Sequence, residues 1–278
     1  MRLLALALLA ISVASAQPSN WAFPTSGATV SLTADHPFLD GDDPLGVSTS
    51  VWMFETAQPI VPGVRLVGEI PFAIVSYDGT DLFGNDVSET GAALGNVQLG
   101  VEADFPLSPV ALGAYLRIPT LTTTDDVAGG LAPSVGMLTE YERIGAYIDD
   151  AVTVAGMVQG DYRPLAIPTL ALRARLTPQV LIFTEDAALG DDPEVLVGYA
   201  LQAFVNGGAA RFGVGFSGIS LLTEDDVDER HEISAGLLAD VGLGPVLRLG
   251  ATARIPIIGN LDEIVDGVVG LRLTYGGD

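Results

Sequence analysis

Residues 232–255 read EISAGLLADVGLGPVLRLGATARI. Ile233, Ala235, Leu237, Ala239 and Val241 share one face, with Glu232, Ser234 and Asp240 opposite. After LGP at 243–245, Leu247, Leu249, Ala251, Ala253 and Ile255 alternate with Arg248, Thr252 and Arg254. A period of two marks a strand with unlike faces. Two such strands on a short glycine-containing connection form a hairpin. The same alternation runs through NVQLGVEADF (96–105) and through 266–275, where Val269, Leu271, Leu273 and Tyr275 oppose Asp266, Arg272 and Thr274.

Worked outward, the pattern predicts fourteen strands: 26–34, 46–57, 63–77, 91–105, 109–119, 131–143, 148–160, 166–176, 180–185, 194–205, 209–222, 231–242, 246–256 and 265–275. Most are longer than the usual soluble strand of about 5–6 residues. They match the roughly 9–11 residues of a tilted strand crossing a bilayer. No stretch carries a convincing helical period.

The connections alternate. Long ones fall at 35–45, 78–90, 120–130, 161–165, 186–193, 223–230 and 257–264; short ones at 58–62, 106–108, 144–147, 177–179, 206–208 and 243–245. The acidic residues concentrate in the long set. Tight turns at one end and long loops at the other belong to outer-membrane barrels. The expected fold is therefore all-β: an antiparallel up-and-down transmembrane β-barrel of about fourteen strands. Twelve is the alternative, because 26–34 and 180–185 carry the weakest patterns.

MRLLALALLAISVASA at 1–16 has a basic start at Arg2, an apolar run from Leu3 to Ile11, and Ala14 and Ala16 before Gln17. That is the pattern of a secretory signal peptide. Residues 17–278 then form one barrel domain. The chain has 278 residues, no cysteine, and 35 acidic against 12 basic residues, all arginine, for a net charge of −23. Its mean hydropathy of +0.43 is too high for a disordered polyanion. The lack of cysteine excludes a disulfide scaffold and thiolate metal sites. The acidity disfavours nucleic acid as a partner. Acid excess without lysine suits a salt-adapted, halophilic source, where salt screens the self-repulsion.

The stretch 63–119 contains GVRLVGEIPF, GAALGNVQLGVEADF and VALGAYLRIPT. It resembles the outer-membrane barrel family of MetA-pathway phenol-degradation proteins and their generic transporter relatives. Gly91, Leu94, Gly95, Asn96, Leu99 and Gly100 approximate that family's strand start, and Pro119 and Thr120 its strand end. Asn96 stands where the family has Asp, and Leu121 where it has Gly. The resemblance implies a barrel for uptake of small, often aromatic or hydrophobic, compounds. The final GLRLTY (270–275) is also similar to the aromatic-ended last strand that barrel-assembly machinery reads.

With apolar faces outward, the charged strand residues line the lumen. Expected there are Arg65, Glu69, Glu102, Asp104, Arg117, Glu140, Glu142, Arg173, Arg175, Arg211, Glu232, Asp240, Arg248, Arg254 and Arg272. Charged rings of this kind select ions in pores. The turn at 243–245 should set Asp240 opposite Arg248 and Glu232 near Arg254. Arg173 and Arg175 have no evident local partner, which marks them for an anionic or polar solute. Only residues 17–25 precede the first strand, so the lumen is expected to be open or merely narrowed by side chains.

The leading function is passive uptake of small solutes through the outer membrane of a bacterium with two membranes. The alternatives are a non-transporting structural or surface-interaction barrel, and a secreted soluble β-barrel that binds a ligand. Outer-membrane lipid, lipopolysaccharide and barrel-assembly machinery are the expected partners. No enzyme, cofactor or metal site is read. His36 and His231 sit at loop edges with no orienting group for catalysis. The acidic runs at 40–43 and 224–229 lack the spacing of a calcium loop.

Overall fold

The computed structural model describes residues 20–23, 27–39, 47–80, 86–105, 108–184, 192–223 and 231–276. The expected signal peptide and the acidic runs at 40–43 and 224–229 lie outside these residues. The strands are β1 Thr29–Leu39, β2 Val47–Val61, β3 Val64–Thr80, β4 Asp86–Leu94, β5 Gln98–Asp104, β6 Val110–Arg117, β7 Thr122–Thr123, β8 Ala151–Tyr162, β9 Leu170–Phe183, β10 Glu194–Asn206, β11 Ala210–Leu221, β12 His231–Gly242, β13 Leu247–Ile258 and β14 Val265–Gly276. Every pairing is antiparallel. Twelve strands close a barrel, sealed where β1 meets β14 with Thr29 opposite Gly276 and Leu32 opposite Leu273. β4 and β7 are the two extra strands. β4 pairs with the far half of β3, and the two residues of β7 pair with β4.

The faces sort as the alternation predicts. Leu237, Leu271, Val214 and Phe216 are exposed on the outer wall, while Arg173, Glu69, Glu102 and Arg254 are buried within. Gly63, at a φ of 80°, turns the chain between β2 and β3. A Cβ there would stand 2.7 Å from the Asp104 carbonyl oxygen.

Four expectations fail, each for a local reason. First, 131–143 is not a strand. An α-helix, α1, spans Val127–Thr139, and a 3-10 turn follows at Tyr141–Ala146. Asp126 caps α1 by accepting a hydrogen bond from the Gly129 amide at 2.5 Å, which satisfies one of the helix's orphan donors. The helix lies inside the barrel, so it has no polar stripe to reveal its period. Ala132 and Val135 pack on inward Val51, Met53, Ala73, Val75 and Ala93.

Second, 91–105 breaks at Gly95–Val97 into β4 and β5. Third, 166–176 and 180–185 are one strand, β9. Its TPQ segment crosses straight through, and the β8–β9 ladder lapses between Ala155–Gln179 and Val158–Leu176. Pro178, which has no N–H to give, sits in that lapse. Losing one strand and merging two others leaves later strands in phase, but moves 161–165 from the loop end to the turn end. Fourth, Trp21, Ala22 and Phe23 are buried inside the wall. The lumen is therefore occluded rather than open.

Candidate functional site

The wall and its two inward segments enclose a ladder of buried charge. Near the turn end of β3 and β5, Arg65 and Glu102 are register partners and pair at 2.5 Å. The Tyr115 hydroxyl donates to the same carboxylate at 2.7 Å. Asp104 is half-buried one step further along β5. Higher up, Arg117 reaches Glu69 at 2.6 Å. Glu69 also holds Arg143, from the 3-10 turn, at 2.8 Å. Arg143 continues to Glu55 at 3.3 Å and Glu140 at 3.5 Å. Arg272 meets Glu55 at 2.5 Å, and Arg254 meets Glu140.

Arg143 is thus the hub that fastens the inserted segment to the wall. Burial pushes its guanidinium down, and Glu69, Glu140 and Glu55 outweigh that and hold it above its ordinary value. Burial likewise pushes the Glu140 carboxyl up, but Arg254 and Arg143 keep it below the usual carboxylate range. A charge removed from water is tolerated only with such partners.

Glu142 works differently. It accepts from the Asn20 amide at 2.5 Å, the Trp21 indole at 2.9 Å and the Ser217 hydroxyl. Asn20 and Trp21 belong to a strap, Asn20–Phe23, that runs inside the wall. The Asn20 and Ala22 carbonyl oxygens accept from Gln202 at 2.5 Å and Arg173 at 3.4 Å. Phe23 packs on Phe204 with ring centroids 5.4 Å apart, beneath the Arg211 guanidinium at 4.7 Å. Glu142 therefore ties the strap to the inserted segment. Beside it, a cavity of about 40 Å³ is lined by Arg117, Arg143, Arg175, Glu69, Glu142 and Tyr115, among others. That space holds a few waters, at roughly 10–15 Å³ each.

The structure brings most of the anticipated residues together, with corrections. Glu140 and Glu142 are interior through the insertion, not through a strand. Asp240 stands opposite Gly250 and Arg211, not Arg248. It still binds both arginines, Arg248 diagonally at 2.8 Å. Glu232 is not beside Arg254. It accepts from the Asn260 and Leu261 amides at the loop end. Arg173 has a partner after all, Asp161, directly across β8 at 3.0 Å. Arg175 bonds Gln159 at 2.7 and 3.0 Å.

Asp35, Glu55, Asp161 and Arg143 were not anticipated. Glu55 shares a face with Val51 and Met53, so its strand reads as apolar inside. Arg143 has the wrong parity for a strand carrying Glu140 and Glu142, and parity has no meaning in a helical turn. His36 and His231 lie on strands, bonded to the Thr49 carbonyl oxygen and the Ser220 hydroxyl. Among the described residues, no three metal-ligating side chains gather.

No family model and no curated protein matches the sequence. Solved structures do. The chain is similar to the COG4313 outer membrane channel from Pseudomonas putida F1, with 14% identity and a TM-score of 0.62 over 94% of this chain and 99% of that one. It is also similar to the translocator domain of the autotransporter NalP from Neisseria meningitidis, with 12% identity and a TM-score of 0.55 over 90% and 88%. The fold is that of an outer-membrane β-barrel.

Proposed function

We propose that this chain is an outer-membrane channel seen closed, through which small solutes pass when the insertion and the strap yield. One observation carries the reading: the insertion is held at mid-height by charges. Arg143 alone faces three carboxylates, Glu55, Glu69 and Glu140. The insertion also has an apolar seat on Val51, Met53, Ala73, Val75 and Ala93, and buried ion pairs are often no better than well-packed hydrophobes, so the added charges mark a contact built to part. Charged faces are readily rehydrated when they part, which suits a gate. The channel named in the similar Pseudomonas structure supports the reading, as does the family resemblance with its small aromatic or hydrophobic solutes. On this reading the exposed apolar wall meets outer-membrane lipid and lipopolysaccharide, and barrel-assembly machinery inserts it after export.

The test is single-channel conductance of the refolded chain in a planar bilayer under asymmetric salt. Rare discrete openings are expected, becoming frequent in Arg143→Gln. An Arg143→Gln barrel that inserts but stays silent would overturn the channel and favour a surface role for the loops.

A further inference from the structure

The strap occupies its place in the manner of a ligand. It sets one aromatic ring, Phe23, in a small apolar recess formed by Phe204, Leu238 and Ala171. It sets neutral oxygens against two guanidiniums that sit side by side on β9. Arg175 donates to the Asn20 side-chain oxygen at 3.2 Å and Arg173 to the Ala22 carbonyl oxygen at 3.4 Å. Neither contact is strong. Among the described residues, Arg175 is the interior arginine with no carboxylate within ion-pair distance, although it is only 4% exposed. Its acceptors are amides throughout. Arg173, 1% exposed, has an Nη2 group with no hydrogen-bond partner at all. Buried donors left with weak or missing acceptors are costly. A charged acceptor there forms bonds roughly twice as strong as a neutral one.

The ring position is equally specific. Arg211 covers the Phe23 ring at 4.7 Å, and Arg173 covers the Phe204 ring at 5.0 Å. A guanidinium over a desolvated ring is attractive. The interior therefore offers a slot for one ring, with two adjacent guanidiniums at its edge: Arg175, which has no carboxylate partner among the described residues, and Arg173, whose Nε is held by Asp161 but whose Nη2 is unbonded. Arg175 also borders the 40 Å³ cavity, so a carboxylate has room against that guanidinium.

We propose that the strap is a built-in surrogate for the solute, and that the solute is a single-ring aromatic carboxylate. Its ring replaces that of Phe23 between Phe204 and Arg211. Its carboxylate replaces the oxygens of Asn20 and Ala22 at Arg173 and Arg175. This deepens the channel reading by naming the solute class, and it gives the strap a role as a competitor that the solute displaces. Glu142 borders the same cavity and repels the incoming charge, so its neutralisation favours binding.

Binding is measured by calorimetry on the refolded chain in detergent, with benzoate and phenylacetate against toluene, acetate and benzylamine as probes. The aromatic acids should bind, and the ring alone and the acid alone should bind at least tenfold more weakly. Arg175→Met should weaken benzoate at least tenfold and leave toluene unchanged. Two further variants act in the opposite direction and so do not depend on tolerating lost contacts with the solute: Phe23→Ala removes the competing ring, Glu142→Gln the competing charge, and each should tighten benzoate. Benzoate binding no better than acetate, or unmoved by all three substitutions, would sink the assignment. Conductance separates this from the channel itself. Binding without any openings keeps the site and loses the channel; openings without preference for aromatic acids do the reverse.

Discussion

Asn96 shows what one side chain can organise. It is fully buried. Its amide nitrogen donates to the carbonyl oxygens of Gly145 and Ile148, at 3.0 and 2.6 Å. Its oxygen accepts from the amides of Thr120 and Leu121, at 2.8 and 2.9 Å. Three chain segments meet there: the β4–β5 break, the exit from β6 and the return from the insertion. In the sequence Asn96 is visible only as a departure from a family pattern with Asp at that position. The structure supplies a physical reason for the amide, because a carboxylate cannot donate to two carbonyls. Asn96→Asp therefore leaves both carbonyls without their donor and sets a charge among acceptors. The expected loss is roughly 2 kcal/mol or more, read as a lower urea midpoint of the detergent-refolded barrel. Asn96→Ala, which also abandons the two amides, should cost at least as much if hydrogen bonds dominate, and less if the buried charge does.

At the level of elements, strands were legible and the insertion was not. Ten-residue alternations such as those of β12 and β13 are hard to mistake, since their outward Leu and inward Arg differ strongly. A helix whose exposed positions, Val127, Gly130 and Ser134, are apolar or small offers no such contrast. The glycines that admit it carry the one sequence signal available. A Cβ at Gly91 would overlap the backbone of Ala128 and Gly129, and one at Gly136 would lie 2.6 Å from the Tyr147 ring. Read as strand residues, these look like mere gaps in a pattern. Gly91→Val should therefore push α1 off β4 without opening the wall. The expected outcome is an inserted barrel, still heat-modifiable on gels, with more frequent openings in a bilayer. Acid should loosen the same element. Glu140 sits below its ordinary value of 4.5 in the fold, so the folded state binds fewer protons than the unfolded one. Its contribution is complete above the ordinary value and is lost as pH falls through the depressed one. Open probability should rise as pH drops below about 4.5, and Glu140→Gln should remove that response. A gate insensitive to pH in the wild-type chain would show that Glu140 does not fasten it.

For the whole molecule, the decisive fact is where the charge resides. Apart from Arg175, the interior arginines are matched by interior carboxylates, as with Arg65–Glu102, Arg117–Glu69 and Arg173–Asp161. In the sequence, the acidic excess that makes the net charge −23 lies chiefly in the long connections. Composition alone gave the excess, and the loop pattern its address. Neither could show that the lumen is neutralised from within, because pairing such as Arg143 with Glu55 joins residues far apart in sequence. This partition separates two responses to salt. Buried pairs are screened little, whereas exposed like charges within about 10 Å at 0.1 M salt repel strongly and are screened as salt rises. Raising sodium chloride from low to molar concentration should thus stabilise the barrel by relieving the loops, without freeing the insertion. The measurement is a pair of salt titrations on the same preparation, one following the urea midpoint and one the open probability. A rising midpoint with an unchanged gate is expected. If the midpoint stays flat, the acidic excess is not a salt adaptation; if the gate opens with salt, the interior ladder is wetter and more exposed than its burial implies.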